Sequence, residues 1–186
     1  MIKNMTNHNA VERLRAAVLG VVAENPYEEP TVASICAAAA LSRSEFYRYA
    51  SSPMQLLSEA LADDILTQLE PLPPPDNTEV RARLALEHIK RWLEVYRGPL
   101  RRELMAMLRQ TLVPALQSMN EREIHNRAAS LPAGIDVDEE SEVSVIAAYI
   151  AGGSMAAIER WIEYPEPDVD SGVRLLRAVW PSFWVW

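Results

Sequence analysis

The amino-acid sequence predicts an all-α protein of two domains. Every segment longer than a few residues places its apolar side chains at helical spacings of three and four, and none alternates with the two-residue period of a strand. Helix start signals precede several segments, and the 13 prolines cluster between them. A chain of 186 residues can hold a small module and a medium-sized helical bundle. We expect the boundary after residue 57, giving domains 1–57 and 58–186.

Composition, cysteine content and hydropathy indicate the class of the protein and its compartment. Hydrophobic residues make up 49% of the chain and charged residues 24%, as in ordinary globular domains. The single cysteine, Cys36, cannot form an intramolecular disulfide, which fits a reducing compartment. Residues 1–10 lack the pattern of a signal peptide, and no apolar run is expected to cross a bilayer. These features predict a cytoplasmic protein without a membrane segment.

Three short helices are predicted in the first domain. The first covers about residues 9–23 and ends at residues 25–26, because a residue before proline is pushed out of the helical conformation. The second, over about 31–39, can be capped by its initial threonine. The third follows Ser42, and the glutamate three positions later, Glu45, completes a capping box.

Longer helices separated by proline-containing loops are predicted after residue 52. A serine cap followed by proline and glutamine marks the start of the fourth helix, and the prolines at 71–75 indicate a hinge or loop after it. Pro114 either kinks a helix or opens a new one, and Asp138 is the expected cap of an apolar helix. The predicted segments are 53–70, 78–96, 100–113, 114–129, 139–163 and 168–180.

The segment 31–49 contains the strongest functional signal. Two short helices meet at a tight turn, and Ile35, Ala39, Leu41 and Phe46 are spaced to form a core with the first helix. Such a three-helix unit can present a short helix to the DNA major groove. Arginines suit guanine edges or phosphates, and hydroxyl groups suit phosphate oxygens. The residues expected on the exposed face are Arg43, Ser44, Tyr47 and Arg48. The alternative is an ordinary helical hairpin with solvated arginines.

Over about residues 10–60 the sequence resembles the DNA-binding domain of the TetR (tetracycline repressor) family. The matching residues are Thr31, Val32, Ile35, Ala39, Leu41, Ser42, Phe46, Tyr47, Tyr49, Leu56 and Leu57. The resemblance implies a helix-turn-helix repressor that binds a palindromic operator as a homodimer and is released by a small molecule. It also implies phosphate contacts from Thr31 and Tyr47. The expected DNA-binding residues are Thr31, Ser42, Arg43, Ser44, Tyr47, Arg48 and Tyr49, with Arg43, Ser44 and Arg48 nearest the bases.

The sequence departs from the family pattern at four positions. The family usually has glycine where Pro26 and Ala40 stand, an aromatic residue where Ala50 stands, and a phosphate-binding lysine where Pro53 stands. In addition, residues 1–57 carry five basic and five acidic side chains, so that the net charge of −8 belongs to the remainder. An alternative hypothesis is therefore a helical ligand-binding or protein-interaction dimer that has lost DNA binding.

The resemblance extends to the architecture of the second domain. It implies a homodimer through residues 139–163 and 168–180. The small residues expected to allow close helix approach are Ala147, Ala151, Gly152 and Ala156. The larger side chains expected to supply buried area are Ile150, Met155 and Ile158, with Leu175, Leu176, Val179 and Trp180 as a second layer. The resemblance also implies an effector pocket between the other helices, for which aromatic and methionine side chains suit an apolar ligand. The candidate pocket residues are Trp92, Tyr96, Met105, Leu108, Leu112, Met119 and Tyr149.

The sequence offers no pattern for catalysis or metal binding. Glu121, Glu123 and His125 cannot chelate together, because residues two apart on a helix do not share a face. The acidic stretch 136–147 lacks the glycine and the final glutamate of a calcium loop. Phosphate-binding loops and nucleophile elbows are absent from the sequence. We expect neither enzyme activity nor a cofactor nor a bound metal.

Overall fold

The computed structural model describes residues 2–70, 78–126, 128, 131–132 and 134–181. These residues form nine α-helices and no β-strand, which confirms the all-α prediction for this part of the chain. The helices are α1 (Ile2–Glu24), α2 (Val32–Ala39), α3 (Arg43–Tyr49), α4 (Pro53–Leu69), α5 (Thr78–Arg91), α6 (Leu93–Arg97), α7 (Arg101–Asn126), α8 (Glu140–Ile162) and α9 (Val169–Val179).

Several helix limits differ from the predicted ones. The segment 78–96 is divided into α5 and α6, because Trp92 leaves the helical conformation with φ −103° and ψ 19°. Pro114 lies inside an uninterrupted α7 and opens no new helix. Asp138 does not cap α8, whose N-cap is Glu139 without a side-chain hydrogen bond. The Asp138 N–H instead donates to Asp136 Oδ1 at 2.9 Å, so that this acidic stretch closes a turn before the helix.

The described residues belong to two compact units. Unit 1 comprises those of Met1–Asp64 and Trp92–Leu108, and unit 2 comprises those of Ile65–Arg91 and Arg109–Trp186. The divisions fall within α4 and α7, so each of these helices contributes residues to both units. The division at residue 57 concerns functional domains and stays a prediction.

The core of unit 1 joins the apolar faces of α1, α2, α3 and α4. Leu14, Ile35, Phe46 and Leu61 are completely buried in it. Of the four residues predicted to form a shared core around the second and third helices, Ile35, Ala39 and Phe46 are buried, and Leu41 is half-buried. Burial of such side chains is the main favourable contribution to folding, which explains how the short helices α2 and α3 are held against α1 and α4.

Polar contacts fix the segment 92–108 within unit 1. Tyr27 in the loop after α1 donates a hydrogen bond to Glu94 on α6, and this bond raises the pKa of the tyrosine. Gly98 ends α6 against the same loop, since a Cβ at this position would lie 2.8 Å from the Pro26 carbonyl oxygen. A larger residue at position 98 would therefore push the loop away.

The turn between α2 and α3 requires a left-handed backbone at Ala40, with φ 50° and ψ 47°. The N–H of Ala40 donates to Ala37 O at 3.3 Å, and that of Leu41 donates to Cys36 O at 3.0 Å. This is the hydrogen-bond pattern of a Schellman C-cap, for which glycine is the preferred residue. It explains why a glycine is expected at this turn, and why alanine is strained there.

We predict that Ala40→Gly stabilises the protein, because glycine adopts the left-handed conformation without a Cβ penalty. The expected gain in the free energy of unfolding is about 1 kcal/mol. The matched control is Ala38→Gly, at an exposed position inside α2, which should lose about 1 kcal/mol. Urea denaturation of both variants measures the difference; destabilisation by both substitutions would contradict the assigned turn.

Unit 2 is held together by contacts of α5, α7, α8 and α9. Arg83 pairs with Asp170 at 2.7 Å, and Arg177 pairs with Glu79 at 3.3 Å, so that two ion pairs connect α5 to α9. A Cβ at Gly172 would meet Leu86 and Trp161 at 2.8 Å. The glycine therefore permits the close approach of α9 to these side chains.

Helix α8 has an apolar composition on more than one side. It spans 23 residues with a mean hydropathy of 1.4 in its most apolar window, so by length and composition alone it could cross a membrane. The expectation that no segment has these properties is wrong. Core helices of soluble proteins pass the same test. Several α8 side chains, such as Trp161, are buried within unit 2.

Of the four small residues that the sequence predicts for close approach between subunits, Ala156 is exposed and Gly152 is half-buried, whereas the other two are buried. Ala147 and Ala151 are 0% and 1% exposed within a single chain. Ile150, Met155 and Ile158, which were expected to supply buried area beside them, are buried as well. These buried side chains pack inside unit 2 and do not form its outer surface. The prediction that they contact a second subunit is therefore corrected.

Candidate functional site

Helix α3 has one buried residue and a polar outer face. Phe46 is fully buried, whereas Tyr47 on the next position is 62% exposed. The two rings meet edge to face, with centroids 5.3 Å apart. The predicted DNA-contacting residues of this helix that are exposed are Arg43, Ser44, Tyr47 and Arg48, and Tyr49 is half-buried. The structure thus brings four of the predicted side chains together on one surface.

Capping boxes fix the starts of α2 and α3. The Ser42 hydroxyl accepts a hydrogen bond from Glu45 N–H at 3.2 Å, and the Glu45 carboxylate accepts one from Ser42 N–H at 2.8 Å. Thr31 and Ser34 exchange equivalent bonds at the start of α2, at 3.0 and 3.1 Å. Both predicted caps are confirmed. Thr31 and Ser42 are exposed, but their hydroxyls already serve the helix ends.

The arginines of α1 and α3 fall into two groups. Arg13 donates to the carbonyl oxygens of Ala39 and Ala40, at the C-terminal end of α2, where a cation is favourable. Arg15 pairs with Asp63 at 3.0 Å and with Glu12 at 3.4 Å. Both are therefore engaged within the chain. Arg43 and Arg48 are exposed on α3 and form no ion pair with the described residues.

The capping carboxylate of α3 gives this region a dependence on pH. Hydrogen bonds from the backbone and hydroxyl of Ser42, assisted by the charges of Arg48 and Arg13, lower the pKa of Glu45. A carboxylate with a lowered pKa in the folded state stabilises that state above its ordinary pKa. The contribution is lost as the pH falls through the lowered value.

We predict that Glu45→Gln destabilises the protein near neutral pH and that the loss shrinks on acidification. Glutamine can still accept from Ser42 but lacks the charge, so the difference should diminish below roughly pH 4.3, the ordinary pKa of glutamate. Denaturation of both proteins across the acid range measures it. Glu166→Gln, in an exposed loop, controls for the loss of one negative charge. A difference independent of pH would contradict the role of the charge.

A second candidate site is a cavity of about 90 Å³ inside unit 2. Apolar side chains from α4, α5, α7, α8 and α9 form most of its wall. Arg81 lines it and lies 3.5 Å from the buried Glu123 carboxylate. Ser154 accepts a hydrogen bond from the Trp180 indole N–H at 2.8 Å, and Asn120 donates to Ala147 O at 3.2 Å. We call this space the unit 2 cavity.

One of the seven residues predicted for an effector pocket lines the unit 2 cavity. This residue is Met119. Leu112 is buried elsewhere in unit 2, and Tyr149 is 67% exposed, because it lies one position away from the cavity-lining Ile150 and faces outward. The remaining four lie in unit 1: Trp92, Tyr96, Met105 and Leu108. Burial raises the pKa of Tyr96.

Sequence reasoning did not identify the polar lining of the unit 2 cavity. Arg81, Asn120 and Ser154 stand on three different helices, and nothing in their local sequence indicates that they meet. The one available signal is that Thr78, Arg81 and Ala85 fall on one face of α5 by helical spacing. That signal does not distinguish a cavity wall from an ordinary packing face.

A third feature is an exposed apolar surface on α8 and α9. Val145 and Tyr149 are 70% and 67% exposed and lie four positions apart on α8. Leu175 and Val179, also four apart, are 47% and 58% exposed on α9. Both α9 residues border a groove of about 200 Å³ that is also lined by Tyr164. We call these two pairs of exposed apolar side chains, taken together, the α8/α9 face.

Comparison with known proteins adds no assignment. No protein-family model matches the chain, and no curated protein matches it. Within the part of the chain that the structure describes, no group of three or more histidine, cysteine, aspartate or glutamate side chains could hold a metal ion.

Proposed function

We propose that this protein is a TetR-like, ligand-responsive transcription regulator that acts as a repressor in the cytoplasm. In this proposal α1–α3 are a helix-turn-helix domain and α3 is the recognition helix. The observation that carries the proposal is the two-sided character of α3. Its aromatic anchor Phe46 is fully buried, while Arg43, Tyr47 and Arg48 are exposed together. A short, capped helix with such a polar face suits the major groove.

The exposed side chains have complementary roles in the proposed complex. The guanidinium groups of Arg43 and Arg48 can donate to guanine edges, and the hydroxyls of Tyr47 and Ser44 can bind phosphate oxygens. The exposed Thr31 at the start of α2 can add a phosphate contact through its backbone or hydroxyl. Two copies related by a two-fold axis would place two such helices on the half-sites of a palindrome.

We predict that Arg48→Ala and Tyr47→Ala each weaken DNA binding by about tenfold or more, because both copies in a dimer lose a contact. The probe is a palindromic duplex selected by the protein from a random library, and the measurement is a gel-shift titration. Arg122→Ala, an exposed arginine on α7, is the control and should bind normally. Unchanged affinity in both α3 variants would show that the recognition helix is wrongly assigned.

A second candidate function is a helical ligand-binding or protein-interaction dimer without DNA binding. Its support is the shortage of available cations, since Arg13 and Arg15 are engaged within unit 1. Pro53, at the first position of α4, also stands where the family places a phosphate-binding lysine. Salt dependence separates the two functions. A regulator should bind more weakly with rising salt, whereas no complex at low ionic strength would favour the alternative.

We propose that the α8/α9 face is the homodimer interface. Within the predicted segments 139–163 and 168–180, we assign the contacts to the exposed Val145, Tyr149, Leu175 and Val179, of which the last two are also predicted from the sequence. Exposed large apolar side chains on neighbouring turns of a helix are typical of surfaces that a partner covers. A second copy is the occupant that the operator symmetry requires.

We predict that Val145→Glu and Tyr149→Glu convert the dimer to a monomer, because each places two carboxylates near the two-fold axis in an apolar contact. Sedimentation velocity of the full-length chain measures the oligomeric state. Val80→Glu, at a position of α5 that is 43% exposed, is the control and should remain dimeric. A monomeric wild type, or dimers of both variants, would contradict this interface.

A further inference from the structure

The unit 2 cavity has a compensated charge. Among its described lining residues Arg81 is the one with a charged side chain. The guanidinium Nη1 lies 3.5 Å from Glu123 Oε2, and the glutamate side chain is 3% exposed. Arg81 lines the cavity and the Glu123 carboxylate beside it offsets its positive charge, so that the net charge of the pair is zero.

This arrangement disfavours a charged ligand. An organic anion would compete with the buried Glu123 for the Arg81 guanidinium, and disrupting a buried ion pair is costly. An organic cation would be repelled by Arg81 in the wall, and it would lose its hydration without gaining a new counter-ion. A neutral ligand avoids both penalties.

The remaining wall defines the size and polarity of the ligand. The neutral polar groups are those of Thr78, Asn120 and Ser154, which can exchange hydrogen bonds with a hydroxyl or carbonyl group. The rest of the lining is mainly aliphatic, with the Trp180 indole at one end. The volume of about 90 Å³ is of the same order as an apolar cavity of about 150 Å³ that holds benzene.

We propose that the unit 2 cavity binds neutral, single-ring or short-chain compounds with one hydroxyl or carbonyl group, of about the size of phenol. As a statement about the effector, this rests on the proposed function. As a statement about binding, it rests on the Arg81–Glu123 pair, the neutral polar groups and the volume of the cavity.

The test uses the indole N–H of Trp180 as a local reporter. This N–H donates to Ser154 at the wall of the cavity, so a ligand there should move its ¹H–¹⁵N resonance, which Trp180→Phe assigns. The probes are phenol and benzoate at neutral pH, titrated into the full-length protein. We expect a saturable shift with phenol and none with benzoate. A saturable shift with benzoate at equal or lower concentration would overturn the proposal.

Variants that fill the cavity establish the location. Ala85→Leu fills it from α5, and Leu116→Phe does so from α7 if the first variant fails to fold. Either should weaken phenol binding by about tenfold. Ala148→Leu, on the exposed side of α8, is the matched control and should bind phenol as the wild type does. Phenol binding that is unaffected by both filling variants would overturn the assignment.

A gel-shift titration with and without phenol separates this proposal from the proposed function. If the protein binds DNA but phenol leaves the Trp180 resonance unchanged, the proposed ligand class is wrong and the proposed regulator function is retained. If phenol binding is weakened by the cavity-filling variants and not by Ala148→Leu, but no DNA complex forms, the cavity assignment is supported and the proposed regulator function is wrong.

Discussion

The burial of Phe46 is the constraint on which the candidate DNA interface depends. In a helix of seven residues only one side chain is buried, and this one is completely enclosed by the core of unit 1. Its burial fixes the rotation of α3 about its own axis and places Arg48 on the opposite side, while Arg43 is exposed at the first position of the helix. The capping box at Ser42 fixes where the helix begins. A short helix needs both, since local propensity alone does not hold so few residues.

Few positively charged side chains near α3 are available to contact DNA. Arg13 neutralises the carbonyl end of α2, and Arg15 connects α1 to α4, so these cations stabilise the three-helix arrangement. The arginines on α3 are then the exposed positive charges of the predicted DNA-binding set. Such an interface would depend on the geometry of a few contacts more than on attraction between a basic surface and phosphate. In the cavity of unit 2, likewise, Arg81 is matched by Glu123.

The sequence predicts features that arise from neighbouring residues and misses those that arise from packing. The caps at Thr31 and Ser42 are confirmed because side chain and backbone partners lie three residues apart. The interruption at Trp92 was missed because helical spacing continues across a single non-helical residue. The sequence predicts Tyr149 as a pocket residue, whereas its side chain is exposed. Helix α8 is apolar on opposite sides, and helical spacing does not tell which side is covered. The cavity around Arg81 arises from five helices and has no local signature.

Photo-crosslinking from position 47 tests whether the exposed face of α3 contacts DNA. A photoreactive phenylalanine replaces Tyr47 in one protein and Tyr164, an exposed tyrosine after α8, in another. Each is irradiated with the selected palindromic duplex. We expect DNA adducts from position 47 that disappear with competing specific duplex, and none from position 164. Equal labelling from both positions, or none from position 47 at low salt, would contradict the claim that the exposed face of α3 contacts DNA.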